Sequence, residues 1–384
     1  MNRRGLAKIY LGVIVAILVV AVSAAYFALT IQHGGGLHRT GLQEELRIVD
    51  IVGRNVTLPK NVSRIIAIGP GMLRLVCYLN ATDMLVGVEE SETRWGFTGR
   101  DYAMAYGELF RRLPVIGPGG PGRPPAPELI LAVKPDLIIM HRGYCEFYDP
   151  DRLQRETNAT VIVMDYGPAG QLDIEGFAWA MKVLGKALNR EERAKQLIKF
   201  VESIRDDLNK RTTNITSRPK VYVGAISHRG PQPFTTTQTP FPPLTLLNTR
   251  SIADKYSNTT GVFFWDFETI IVEQPEIIFI DENNLATVKS DFDKDPRKYR
   301  QLNAFREGKV YGMLPYNYYH TNIAVALADA YWIGKVLYPD KFKDVDPVAK
   351  ADEIFIFFLG KPLYEEYAKA YGGFINLAWM FKVP

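Results

Sequence analysis

The sequence predicts an α/β fold: two Rossmann-like lobes with mostly parallel sheets, joined by a long helix, behind an N-terminal transmembrane helix. Three observations predict it. One phrase occurs twice, from Glu128 to Ile139 and from Glu268 to Phe279. Each copy reads as a short helix, a proline that stops it (Pro135, Pro275), an acidic turn residue (Asp136, Glu276) and a buried strand. Two matching units far apart imply two similar lobes, hence a cleft. Strand-like and helical runs also alternate on either side of a helical centre, which argues for parallel sheets covered on both faces. Finally, an apolar run near the start is long enough to cross a bilayer.

That run extends from Ile9 to Ile31 and follows Arg3, Arg4 and Lys8. At about 1.5 Å per residue it spans a membrane. The positive flank should stay inside, which puts the rest of the chain outside. Residues 1–31 are therefore expected to form a cytoplasmic stub and anchor. A signal peptide cut after the Ala21–Ala25 region is the rival reading. Residues 32–46, with His33 and three glycines, read as a flexible tether. Sequons at Asn55, Asn61, Asn80, Asn158, Asn214 and Asn258 fit an extracellular glycoprotein. Outside the cell Cys77 and Cys145 can pair as a disulfide, or they are two buried thiols.

Along the chain, Arg64–Ile68 reads as a strand, Gly69–Gly71 as a turn and Met72–Leu79 as a helix. Met84–Val88, Asp136–Met140 and Thr160–Met164 read as further strands of a first lobe over 47–168. Apolar residues from Ile174 to Leu188 fall at helical spacing. Asn189 with Glu192 resembles a capping box opening a second helix to about Lys210. These helices, over 169–212, connect to a second lobe over 213–384. There Lys220–Ile226, Glu276–Ile280 and Lys309–Met313 read as strands. Ile323–Leu337 and the run from Pro347 read as helices, and Arg229–Pro243 as a surface loop.

A length of 384 residues exceeds what one core usually serves. The net charge of +4 is scattered with no basic block, so no nucleic-acid partner is expected. No catalytic constellation stands out: there is no Gly-X-Ser-X-Gly elbow and no His-Glu-X-X-His helix. Gly117–Gly122 lacks the Gly-Lys-Ser/Thr ending of a phosphate loop and reads as a rigid rim or a plain loop. An enzyme is not expected.

The chain resembles the substrate-binding proteins of ABC importers for ferric siderophores, iron complexes and vitamin B12. The resemblance covers roughly residues 47–384 and rests on the paired phrases at Glu128 and Glu268. Gly69–Arg74, Val88–Ser91, Arg94–Gly96, Val115–Gly120 and Tyr316–Asn322 resemble archaeal iron-uptake members more closely. It implies a membrane-tethered receptor, with the bulk of the chain extracellular. The receptor would close on an iron complex and deliver it to an ABC permease and its ATPase, with no intrinsic cofactor. It also implies that Glu128 and Glu268 meet permease arginines. A carboxylate at the positive end of its own helix is the plain alternative.

Ligands of open parallel sheets sit beyond the carboxyl ends of strands. This puts His141 with Arg142, and His228 with Arg229, at the cleft. Arginine suits an anionic ligand, and histidine a hydrogen bond or a metal. Gly69 and Pro70, with Trp95 and Tyr102, would line the first lobe, and Tyr316, Tyr318, Tyr319 and His320 the second. Tyr318 and His320 are the metal-ligand candidates. Two of these aromatics are expected to pack into the lobe instead. Cobalamin, haem or a metal ion are alternative cargoes, and a surface-anchored enzyme or sensor is the alternative of another class.

Overall fold

The computed structural model describes residues 46–228, 230–257 and 259–382. The expected anchor and tether, Arg229 and the Asn258 sequon lie outside the described residues. No helix among the described residues is long and apolar enough to cross a membrane. The asparagines of the other five sequons are all exposed.

A small antiparallel pair, β1 (Arg47–Val49) and β2 (Asn55–Thr57), opens the described chain. β3 (Ile65–Ile68), β4 (Leu137–His141) and β5 (Thr160–Met164) follow as a parallel sheet in that order. The second half carries β6 (Val221–Gly224) and an antiparallel pair, β7 (Thr236–Thr239) and β8 (Gly261–Phe264). β9 (Ile277–Asp281) and β10 (Val310–Met313) come next. β6, β9 and β10 form a second parallel sheet in the order β10-β9-β6.

Successive strand residues point to opposite faces, so each apolar strand feeds two cores. In the first sheet Ile65, Ala67, Ile139 and Ile162 enter a large core, while Ile66, Ile138 and Val161 enter a smaller one behind it. In the second sheet Val221, Val223 and Phe279 join the large core, and Tyr222, Ile278 and Ile280 an outer one. One core thus runs between the two sheets, and residues from 46 onward form one compact unit.

The repeated phrases fold alike. Helix Pro127–Val133 ends at Lys134 and helix Phe267–Glu273 at Gln274, each with φ of 45°. The acidic residue after each proline does more than turn the chain. Asp136 accepts from the backbone N–H of Ser63 and Arg64, and Glu276 from that of Lys220. Each carboxylate thereby ties down the entry to the neighbouring strand, β3 or β6.

Helices Ile174–Ala187 and Glu191–Thr212 link the halves. The second, at 22 residues, is about 33 Å long. Asn189 does not cap it: Asn189 is left-handed at φ 54°, and Arg190 is the cap, without a side-chain bond.

Two other expectations need correction, and the alternatives left open for the cysteines are resolved. Met84–Val88 is not a continuous strand: Leu85 bridges to Ile65, whereas Val88 bridges to Val115, so the run changes partner at Gly87. The segment 230–243 is not a surface loop throughout. Its β-branched residues Thr236, Thr237 and Thr239 are buried in β7, and Thr237 Oγ1 donates to the Val223 carbonyl. Cys77 and Cys145 are free thiols. Cys77 is buried in the large core and Cys145 packs on the smaller one, so they lie on opposite faces of the first sheet.

Candidate functional site

Four side chains or turns of the first half gather just beyond the carboxyl ends of its strands. Gly69 follows β3, Glu89 follows the bridging Val88, His141 ends β4 and Asp165 follows β5. Gly69 must be glycine: its φ is 87°, and a Cβ would lie 2.7 Å from that of His141. The loop after β10 in the second half, from Leu314 to Asn322, crosses to meet this edge.

Arg74 makes the crossing rigid. It is fully buried, pairs with Asp101 through Nε at 2.9 Å and donates to the Tyr166 hydroxyl at 2.8 Å. Its remaining N–H groups reach the second half, at the Tyr318 carbonyl (3.1 Å), the Tyr319 carbonyl (3.3 Å) and Asn322 Oδ1. Asn322 Nδ2 returns a bond to the Gly99 carbonyl at 3.1 Å. The Thr321 hydroxyl accepts from Gly170 N–H at 2.9 Å, and the Tyr316 hydroxyl donates to the Gly170 carbonyl at 3.0 Å. The two halves are therefore in direct polar contact rather than parted by an open crevice.

His141 and His320 face each other across this contact, ring centroids 5.4 Å apart, with Asp165 below them. Asp165 Oδ1 is 3.6 Å from His320 Nε2 and 3.9 Å from His141 Nε2. The three residues each offer one ligand atom within 4.8 Å of the others, which is metal-site spacing. The backbone constrains the protons, however. Gly143 N–H donates to His141 Nδ1 and Thr321 N–H to His320 Nδ1, both at 3.0 Å. A neutral imidazole that accepts at Nδ1 carries its proton on Nε2. The pair thus presents N–H donors toward Asp165, whereas a metal-ligating histidine normally donates from its other nitrogen. His141 Nε2 is buried and has no hydrogen-bond partner. Burial, then the neighbouring His320, lowers the His141 pKa to about 4. Burial also lowers that of His320. Burial acts to raise the Asp165 pKa, but the two imidazoles facing it outweigh burial and hold it below the usual range.

Glu89 is the second buried carboxylate. It accepts from Gly69 N–H at 2.8 Å, from the Tyr144 hydroxyl at 2.9 Å and from the Tyr319 hydroxyl at 3.2 Å. Burial raises its pKa to about 7 against the pull of these donors.

The sequence candidates divide accordingly. Gly69, His141, Tyr319 and His320 meet at one place, with Trp95 edge-on to Tyr319 at 5.1 Å. Pro70 sits half-buried in the turn beside them. Tyr102 is packed away, its hydroxyl bonded to Glu92 at 2.7 Å. Tyr316 is likewise buried. Tyr318 contributes its carbonyl to Arg74, and its ring lies under Arg100 at 5.8 Å. Arg142 points to solvent. His228 is half-buried on the second half, its carbonyl accepting from Gln232. Glu128 and Glu268 are both exposed. Arg74, Glu89, Tyr144, Asp165 and Asn322 were not singled out as site residues. Glu89 and Asp165 carried a usable signal, since each directly follows a strand end.

Comparison with known proteins agrees with this architecture. The family model described as periplasmic binding protein matches residues 65–316. An ABC transporter substrate-binding lipoprotein of Bacillus subtilis, YvrC, is 21% identical over 300 residues, covering 77% of this chain and 87% of its own. An ABC transporter solute binding protein from Sulfurospirillum deleyianum superposes with a TM-score of 0.63 at 22% identity, over 85% of this chain and 98% of that one. The molybdate periplasmic binding protein MolA of Haemophilus influenzae does so with 0.63 at 18%, over 83% and 99%. Two parallel sheets with facing carboxyl-end residues, and a family match over most of the described chain, establish that the protein belongs to the periplasmic binding protein family, the solute-binding class of ABC transporters.

Proposed function

We propose that this protein is the external receptor of an ABC importer and that it captures an iron complex between its two lobes. Residues 47–168 and 213–384 would be the lobes and 169–212 the hinge, with residues 1–31 anchoring the chain outside the membrane. What carries the reading is the convergence of His141 and Asp165 from the first half with Tyr319 and His320 from the second. A guest seated there would touch both halves and stabilise their closed arrangement. His141 Nε2–H, buried without a partner, suits an oxygen of an anionic chelate. Arg142, His228 and Arg229 would add contacts at the rim. Glu128 and Glu268, exposed on equivalent helices, would then engage the permease, one per lobe. No chemistry is assigned to the receptor itself.

A second reading takes a bare metal ion as cargo, favoured by the spacing of His141, Asp165 and His320. The Nδ1 bonds to Gly143 and Thr321 weigh against it, because coordination through Nε2 would move both protons onto nitrogens that now accept. Calorimetric titration of the soluble part with ferric chelates, cobalamin, haem and free metal ions separates these readings. Heat from ferric chelates alone is the expected result. Heat from none of them would overturn the iron reading.

A further inference from the structure

Tyr319 is held as a guest would be. It belongs to the second half, yet its phenol lies in a socket built by the first. The hydroxyl donates to Glu89 Oε2 at 3.2 Å and accepts from Gly120 N–H at 3.1 Å. Trp95 closes one side at 5.1 Å. The socket does not need Tyr319 to keep its form, since Gly69 N–H and the Tyr144 hydroxyl also hold Glu89. The Gly117–Gly122 loop is shaped for it as well: Gly120 has φ of 94°, and a Cβ there would meet the Trp95 ring at 2.9 Å. Ser91 Oγ is buried beside the same loop, 2.2 Å from where a Cβ on Gly119 would lie, and has no hydrogen-bond partner. The socket therefore has polar capacity that Tyr319 leaves unused.

The loop that delivers Tyr319 is strained. Tyr319 at φ 51° and His320 at φ 82° are consecutive left-handed residues, and neither is glycine.

We propose that the socket of Glu89, Gly120, Ser91 and Trp95 is a subsite for a neutral aryl hydroxyl on the guest, for which Tyr319 competes. This rests on the receptor reading above and narrows its ligand class. A carboxylate acceptor beside an N–H donor selects a group that both gives and takes a hydrogen bond. A phenol that keeps its proton does so. A phenolate oxygen bound to a metal has no proton for Glu89, so the hydroxyl read here is one that the metal does not use.

The test empties the socket and refills it. In Tyr319→Ala, millimolar p-cresol restores the deleted group and should raise the melting temperature by several degrees, with no effect on the wild type. Toluene, lacking the hydroxyl, should give a smaller rise. No rise with p-cresol, or an equal rise with toluene, overturns the subsite. Tyr319→Phe guards against a misfolded alanine variant, because it keeps the ring and gives up both hydrogen bonds. A ferric chelate bearing one free phenol should bind Tyr319→Phe about tenfold more tightly than the wild type, and its methyl ether should gain clearly less. Equal affinity of the phenol-bearing chelate for both also overturns the proposal. The p-cresol arm involves no iron. If it succeeds while no chelate binds any variant, the iron reading fails and the hydroxyl subsite stands.

Discussion

Arg74 of the first half donates to Asn322 Oδ1 of the second while its Nε holds Asp101, so one buried guanidinium serves as both an ion-pair partner and a clamp between the halves. Its acceptors comprise a carboxylate, a phenol, two carbonyls and an amide. Arg74→Ala would leave the fully buried Asp101 without its cation, which costs about 3–5 kcal/mol. Arg74→Lys should recover little, because an ammonium lacks the planar fork that reaches so many acceptors. Urea unfolding of the two variants measures both effects.

His141 contributes by presenting Nε2, whereas its Nδ1 only receives Gly143 N–H. His141→Asn keeps an acceptor near the Nδ1 position and deletes Nε2. Folding stability should change by less than about 1 kcal/mol, while affinity for a ferric chelate falls about tenfold. Calorimetry alongside thermal unfolding reads the two quantities. A loss of stability that matches the loss of affinity would make His141 structural only.

Much of this was legible in the chain, for a physical reason. Parallel strands buried on both faces leave continuous apolar runs, so β3, β4, β5, β9 and β10 stood out. β7 did not, because Thr236–Thr239 reads as polar until its hydroxyls find partners inside the fold. In the site, the strand-end rule found His141 and, applied to every strand, would also have found Glu89 and Asp165. Arg74 was hidden: an arginine in the first turn of an apolar helix gives no sign of burial, which depends on Asp101 and on a loop that comes from Tyr318–Asn322. Tyrosine density around residue 318 marked the right loop but not which ring crosses over.

Glu282 makes stability depend on pH. Burial raises its pKa to about 8, opposed by Gly373 N–H and reinforced by Asp281, and its Oε1 has no partner. The folded chain holds this proton to higher pH than the unfolded chain does. Folding therefore takes up a proton between about 4.5 and 8, and stability falls as pH rises through that window. Glu282→Gln removes this residue's share of the dependence and keeps an acceptor for Gly373 N–H. The variant should melt several degrees above the wild type near pH 9 and close to it near pH 5. Melting curves across that range provide the check, and parallel curves for the two proteins would show that Glu282 does not titrate in the window.

Glu128 and Glu268 occupy the same place in the two phrases, each exposed in the first turn of a short helix. Neither touches the residues gathered at His141 and Tyr319, so their charges can be reversed without altering the guest's surroundings. Each does favour the positive end of its own helix, by about 0.3–1 kcal/mol. Glu128→Lys with Glu268→Lys should accordingly cost little stability and leave chelate affinity in solution intact. Uptake by cells carrying the matching permease should fall at least about tenfold, since each charge-assisted contact would become a repulsion. Uptake that persists would return both carboxylates to a purely helix-capping role. A parallel loss of chelate affinity would mean that the two helices report on the site rather than on the permease.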